Sequence, residues 1–271
     1  MKLDTSIAIL GAGKLGETLA RGLIDAGMID AGRITVTAAH RERPERLASD
    51  LGVRAGASNR EAAEGAGLVL VAVKPQQVGA VIDDLRGVLA PAQLLISVAA
   101  SVGTAFIESK LRAAVPVVRA MPNTPALVRR GMTAIAGGTH ARDEHLALAR
   151  SVFDAVGRTV VVDEKYMDAI TGLSASGPAF IYIVIESLAE GGVKAGLPRD
   201  LATELAAQTV LGAGAMVIET GEHPALLKDQ VTTPAGCTID GILKLEEGGL
   251  RVTLIKAVVE AAVRAKQLIA G

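Results

Sequence analysis

Over about the first 160 residues, short runs of β-branched and aliphatic residues alternate with segments whose apolar positions recur every three or four residues. This is the pattern of βαβ units around a parallel sheet. Ser6–Leu10 (SIAIL), Arg33–Thr37 (RITVT), Leu68–Val73 (LVLVAV), Leu94–Ala99, Val117–Ala120 and Met132–Ala136 read as strands, with a last helix and strand up to Val162. Between them, Leu15–Ala26, the stretch from about Pro44 to Leu51, a short segment capped by Ser58, and Pro75–Leu89 read as helices. An unbroken apolar run such as LVLVAV suits a strand covered on both faces. Beyond about Lys165 the strand signal stops, and Gly177–Ala195, Asp200–Glu219 and Leu250–Ala270 read as long Ala- and Leu-rich helices. The first of these is apolar nearly all round in its first turns, so it sits in the middle of a bundle or under a second subunit. The scarcity of polar outer faces favours a homodimer formed through this half. The expected class is therefore α/β, a doubly wound parallel sheet followed by an all-α domain. Asp163–Tyr166 (DEKY), a charge cluster where the period changes, places the expected boundary between 1–163 and 164–271.

Composition narrows the partners. With Lys+Arg 28 against Asp+Glu 29 there is no basic footprint for nucleic acid and no polybasic membrane patch, and aromatics at 2% without Trp exclude a base-stacking platform. Mean hydropathy is +0.39, carried by Ala, Val, Leu and Ile. The uncharged run Gly87–Ile107 is interrupted by Pro91, Gln93, Ser97, Ser101 and Thr104, which makes it a buried strand between turns rather than a membrane span. One cysteine, Cys237, excludes an internal disulfide, and MKLDTSIAIL lacks the features of a signal peptide, so a cytoplasmic address is expected.

Chemistry enters at Gly11-Ala12-Gly13-Lys14-Leu15-Gly16, directly after a strand and before a helix. Glycines at this spacing serve a tight turn, close backbone approach to a pyrophosphate and helix-to-strand packing, with free N–H groups facing the anion. The end of the second strand selects the dinucleotide, and an acidic residue there would suit NAD(H). The chain has Ala38-Ala39-His40-Arg41-Glu42-Arg43 instead, which favours NADP(H) over NAD(H), with Arg41 toward the 2′-phosphate and Arg43 as a solvated loop charge. Val73-Lys74-Pro75-Gln76 and Arg119–Pro125 follow strands at the edge where such sheets bind ligands; each is a ligand-contacting turn or a packing turn. Thr232-Thr233-Pro234-Ala235-Gly236-Cys237-Thr238 is a polar loop inside the apolar half, either an anion-binding nest or an N-cap for a helix starting near Thr238. The four histidines have no ligand spacing, so no metal site is expected.

Five blocks together resemble the pyrroline-5-carboxylate reductase family: IAILGAGKLGETLARGLI (7–24), VAVKPQ (71–76), VVRAMPNTPALV (117–128), TGLSASGPAFIYIVIESLAEGGVKAGLP (171–198) and LKDQVTTPAGCTIDGILKLEEGG (227–249). The likeness runs from Ile7 to Gln267, and its proline-glycine-threonine loop is the most specific part. The chain departs from the family's usual pattern at Lys14-Leu15, Ala175 and Ala235. The resemblance implies a Rossmann-type N-terminal domain, a helical dimerisation domain and often a ring of five dimers. It implies hydride transfer from NADPH or NADH to the C=N carbon of 1-pyrroline-5-carboxylate, giving L-proline. By the same resemblance Glu164, Thr233, Gly236, Cys237 and Thr238 bind substrate, with Thr238 beside the ring nitrogen. Gly11, Gly13, Lys14, Leu15, Gly16, His40, Arg41, Asn59, Val73, Lys74, Pro75 and Ala100 then bind cofactor. Other readings are a related imine reductase, a β-hydroxyacid dehydrogenase lacking its expected lysine between Gly172 and Gly192, and a non-catalytic NADP sensor, which would not need the threonine-rich loop.

Overall fold

A computed structural model describes residues 2–267. Among the described residues eight strands, β1 (Ile7–Leu10), β2 (Ile34–Thr37), β3 (Arg54–Ala55), β4 (Leu68–Val71), β5 (Leu94–Ser97), β6 (Val117–Met121), β7 (Gly131–Gly137) and β8 (Gly157–Val161), form one sheet in the order β3-β2-β1-β4-β5-β6-β7-β8. Helices accompany it throughout. In the first half these are α1 (Lys14–Asp25), α2 (Glu42–Leu51), α3 (Asn59–Ala63), α4 (Pro75–Leu85), α5 (Thr104–Lys110) and α6 (Asp143–Asp154). The rest are α7 (Met167–Ile170), α8 (Gly177–Lys194), α9 (Arg199–Thr220), α10 (Pro224–Val231), α11 (Cys237–Glu247) and α12 (Leu250–Gln267).

The two-residue alternation of the central strands builds two cores. Ile7, Ile9, Ile34, Val36, Leu68 and Leu70 join one cluster with Leu19 and Leu23 of α1 and Phe153 of α6. Ala8, Leu10, Val69 and Val71 face the other way, onto Val78, Ile82 and Leu85 of α4 and Ile107 of α5. At about 1.5–3 kcal/mol for each fully buried aliphatic side chain, these clusters hold the sheet and its helices together.

The sheet departs from the expected all-parallel form at one place: β7 runs antiparallel to β6, and β8 is parallel to β7. The cause is connection length. Only residues 122–130, including the 3-10 turn Thr124–Val128, separate β6 from β7, too few for the crossover a parallel pair needs. The β7 to β8 step carries α6 and is parallel.

Compactness divides the chain after Ala175 rather than where the period changes at 163. Residues 2–175 with 260–267 form one unit, and Ser176–Val259 the other. Segment 164–175 groups with the sheet because Met167, fully buried, joins Met121, Ala134 and Ala136. Within the helical unit, Ala189, Ala202 and Ala206 close the α8–α9 contact. Ile181, Tyr182, Ile183, Leu211, Ile218, Leu243 and Ile255 remain exposed. By length and hydropathy alone, Glu164–Lys194 and Arg199–Thr220 are long and apolar enough to cross a membrane. The expected helix Leu250–Ala270 is observed to Gln267; residues 268–270 lie outside the described residues.

Candidate active site

The glycine loop joins β1 to α1. Gly11 has φ +113°, and a Cβ there would lie 2.7 Å from the Ala72 carbonyl group, so only glycine makes this turn. Its N–H and that of Ala12 both donate to the Thr37 carbonyl, pinning the loop to the end of β2. A Cβ on Gly16 would lie 2.2 Å from the Gly11 carbonyl oxygen, which sets how closely α1 packs on the turn. Around Gly13 there is open space, the nearest atom being Arg43 Nη1 at 3.9 Å from an ideal Cβ. Gly13 is also the N-cap of α1, and no side chain caps that end. The three glycines thus divide into turn, open cradle and packing contact, and the uncapped N–H groups beside the cradle fit a pyrophosphate. Lys14 is exposed at the first turn and Leu15 half-buried behind it.

Past β2, His40 is exposed and Arg41 sits at the N-cap of α2, with its guanidinium 3.8 Å from Glu45 and largely in solvent. Arg43, read from sequence as a solvated loop charge, is the arginine that reaches the glycine cradle. Asn59 opens α3 with its side chain fixed at both ends: Oδ1 accepts from Thr37 Oγ1 at 2.7 Å, and Nδ2 donates to Asp84 Oδ2 at 3.2 Å. Half-buried Val73 follows β4, exposed Lys74 is the N-cap of α4, and Pro75 is its first residue, where a missing N–H costs nothing. Ala100 follows β5 and packs against the Met121–Met167 cluster. All these residues follow the C-terminal ends of β1, β2, β3, β4 and β5, the edge at which parallel α/β sheets bind ligands.

Glu164 is committed within the first unit. Its carboxylate accepts from Thr104 N at 2.9 Å and Thr104 Oγ1 at 2.6 Å, capping α5, and Arg119 Nη1 approaches it at 3.4 Å. Arg119, 5% exposed inside β6, also places Nη2 3.5 Å from Asp168, without hydrogen-bond geometry. Beside this cluster the Lys165 ammonium hydrogen-bonds the exposed Asp163 and holds its carboxyl below the ordinary carboxylate range. Asn123 is likewise structural: Oδ1 accepts from Met132 N, and Nδ2 donates to the Ser174 carbonyl.

The threonine-rich loop lies in the helical unit. Gly236 N donates to the Thr233 carbonyl at 3.0 Å, closing a turn through Pro234 and Ala235, and Ala235 takes φ +58°. A Cβ on Gly236 would lie 2.4 Å from Thr233 Oγ1 and 3.1 Å from its carbonyl oxygen, so the threonine side chain packs closely over the glycine. The expectation of a helix start near Thr238 moves by one residue: α11 starts at exposed Cys237, with Gly236 as an N-cap that has no side-chain hydrogen bond. Thr238 is therefore inside the first turn, and the N-cap alternative falls for it. An eleven-residue helix is left with uncapped N–H groups behind a rigid turn, and three threonine hydroxyls lie close in sequence, a donor set suited to a carboxylate. Among the described residues no cluster of His, Cys, Asp and Glu is placed to hold a metal.

The family profile for "Pyrroline-5-carboxylate reductase dimerisation" matches residues 164–268, and one described as "NADP oxidoreductase coenzyme F420-dependent" matches residues 6–101. The pyrroline-5-carboxylate reductase of Arabidopsis thaliana is 43% identical over 263 residues, 97% of this chain and 95% of that one. The chain belongs to the pyrroline-5-carboxylate reductase family. The solved pyrroline-5-carboxylate reductase of Coxiella burnetii superposes with a TM-score of 0.91 at 38% identity, covering 98% of this chain and 99% of that one. The Plasmodium falciparum pyrroline carboxylate reductase, solved with NADP bound, gives 0.88 at 28% identity, covering 98% of each chain. The exposed apolar helices of the second unit fall inside the segment matched by the dimerisation profile, which accounts for them by association between copies.

Proposed function

We infer that the chain is a pyrroline-5-carboxylate reductase that forms L-proline with NADPH or NADH as reductant. The observation that carries this is full-length identity to reductases of that name, together with a glycine loop whose middle glycine faces open space. When bound, NADPH supplies the hydride that the C=N carbon accepts. The chain's part is to bind and orient. Gly11, Gly13, Lys14, Leu15 and Gly16 hold the pyrophosphate, while His40, Arg41 and Asn59 border the adenosine side. Val73, Lys74, Pro75 and Ala100 frame the rest of the dinucleotide. The turn at Thr233–Gly236 and the N–H groups of Cys237 and Thr238 hold the substrate carboxylate, and the Thr238 hydroxyl faces the ring nitrogen as it takes up a proton. Glu164 acts on the substrate side through its tie to Thr104 and Arg119 rather than as a free base. The account includes a cytoplasmic address and a homodimer, assembling further into a ring of five dimers. The apolar second unit and its match to the dimerisation profile support the homodimer, and the family resemblance suggests the ring.

Steady-state turnover separates this reading from the hydroxyacid-dehydrogenase and sensor alternatives. NADPH is expected to be consumed with pyrroline-5-carboxylate, with no reduction of NADP by β-hydroxyacids. Thr238→Ala is expected to lower kcat for the imine at least tenfold while leaving NADPH affinity and the unfolding midpoint close to parental, because Gly236 and not Thr238 is the cap. Parental kinetics in the folded variant would remove Thr238 from the chemistry.

The two arginines give a cofactor test. Arg41→Ala should weaken NADPH with NADH nearly unchanged, about tenfold or more where a charged hydrogen bond of roughly 1.5–3 kcal/mol is lost, whereas Arg43→Ala should weaken both cofactors. Arg43 stands beside Gly13, where the pyrophosphate common to both cofactors would lie, whereas Arg41 lies further out and pairs with Glu45. Equal losses for both cofactors in Arg41→Ala would contradict its assignment to the 2′-phosphate. Light scattering over a dilution series tests the subunit association: an interface of the obligate class, above about 2,000 Å² in total, leaves little folded monomer, and a folded monomer at every concentration would exclude it.

A further inference from the structure

We propose that Ser101 is a positioning residue, latching α12 at Ala265 to the loop that carries Ala100. Ser101 is buried and takes φ +65°, a left-handed conformation that a non-glycine residue adopts only under constraint. Its hydroxyl donates to the Ala265 carbonyl oxygen at 2.7 Å, across 164 positions of sequence. Ala265 is buried and lies near the end of the described part of α12. This bond holds Ser101 in its strained state.

The segment so held runs from the end of β5 to the start of α5. Its far end is tied independently, through Thr104, to Glu164 and thereby to Arg119. Between the two ties Ala100 is fixed at the C-terminal end of β5. Residues 260–267 of α12 belong to the sheet unit, so the latch joins two segments of that unit, one of them next to Ala100 in sequence. The proposal rests on Ala100 as a cofactor contact. A loop held in its bound shape beforehand loses less freedom when the cofactor binds.

The test measures NADPH binding by titration on the full-length chain, with imine KM in parallel. Ser101→Ala keeps the strain and removes the bond, and should weaken NADPH about five- to tenfold; Ser101→Gly also relieves the strain and should weaken it about threefold. Ala265→Glu, which cannot stay in that buried position, should weaken NADPH to a similar extent. The Ser101→Gly, Ala265→Glu double variant should be no weaker than the larger single effect, because both break one contact. Imine KM should stay within about twofold, and amides of residues 98–104 should exchange faster in every variant. Parental NADPH affinity in destabilised variants, or losses that multiply, would overturn the latch alone. Failure of the parental chain to bind NADPH would instead overturn the nucleotide-site reading on which it rests.

Discussion

Gly16→Ala is expected to cost at least about a hundredfold in NADPH affinity and about 1–3 kcal/mol in stability. The added Cβ would stand 2.2 Å from the Gly11 carbonyl oxygen and 3.2 Å from Ile9 Cγ2. Neither neighbour is free to yield: the first is backbone already turned by the φ of Gly11, and the second is buried in β1. Helix α1 must back away, and its N–H groups leave the cradle around Gly13 together. Gly32→Ala, where no atom lies within 4 Å of the new carbon, serves as the control. Calorimetric titration of both variants with NADPH decides the matter. Parental affinity in Gly16→Ala would mean that the loop is only a tight strand-to-helix turn.

The second large effect is on stability. Arg119→Met should lower the unfolding free energy by about 2–4 kcal/mol, with the thermal midpoint falling accordingly. The guanidinium is nearly fully buried and lies within 4 Å of both Glu164 and Asp168. Its removal leaves two carboxylates facing an apolar strand. Those carboxylates retain partial exposure, 29% and 36% for their side chains, so water relieves some of the penalty and the loss stays below that of a wholly buried pair. The informative comparison is Arg158→Met on the exposed face of β8, where the charge is already in water and its loss should change the midpoint little. An unchanged midpoint in Arg119→Met would show that the cluster holds nothing together.

Much of the sheet unit is legible in the sequence because alternation and helical period are written into strands such as Ile7–Leu10 and Leu68–Val71 and helices such as α1. The direction of β7 is not, since an apolar strand reads the same both ways and only the length of the 122–130 connection decides it. Helices α5 and α10, seven and eight residues long, are too short to establish a period, although His223-Pro224 carries a start signal. The glycine loop is readable from three residues at fixed spacing. Arg43 is not, because its reach to Gly13 depends on how α2 leaves the sheet. Arg119 announces itself as a lone cation in VVRAM, yet its partners lie 45 and 49 positions away and no local pattern names them. Ser101 gives no signal, since a serine in a left-handed conformation is held there by a contact that only folding brings together.

The central claim is that this chain delivers a hydride from a nicotinamide cofactor to the C=N carbon of pyrroline-5-carboxylate. The direct measurement uses NADPH carrying deuterium at the transferred position, with mass analysis of the product. The account predicts proline with one deuterium on the former imine carbon, formed in step with NADPH consumed. Proline without deuterium, or NADPH bound and left unoxidised in the presence of the imine, would contradict it.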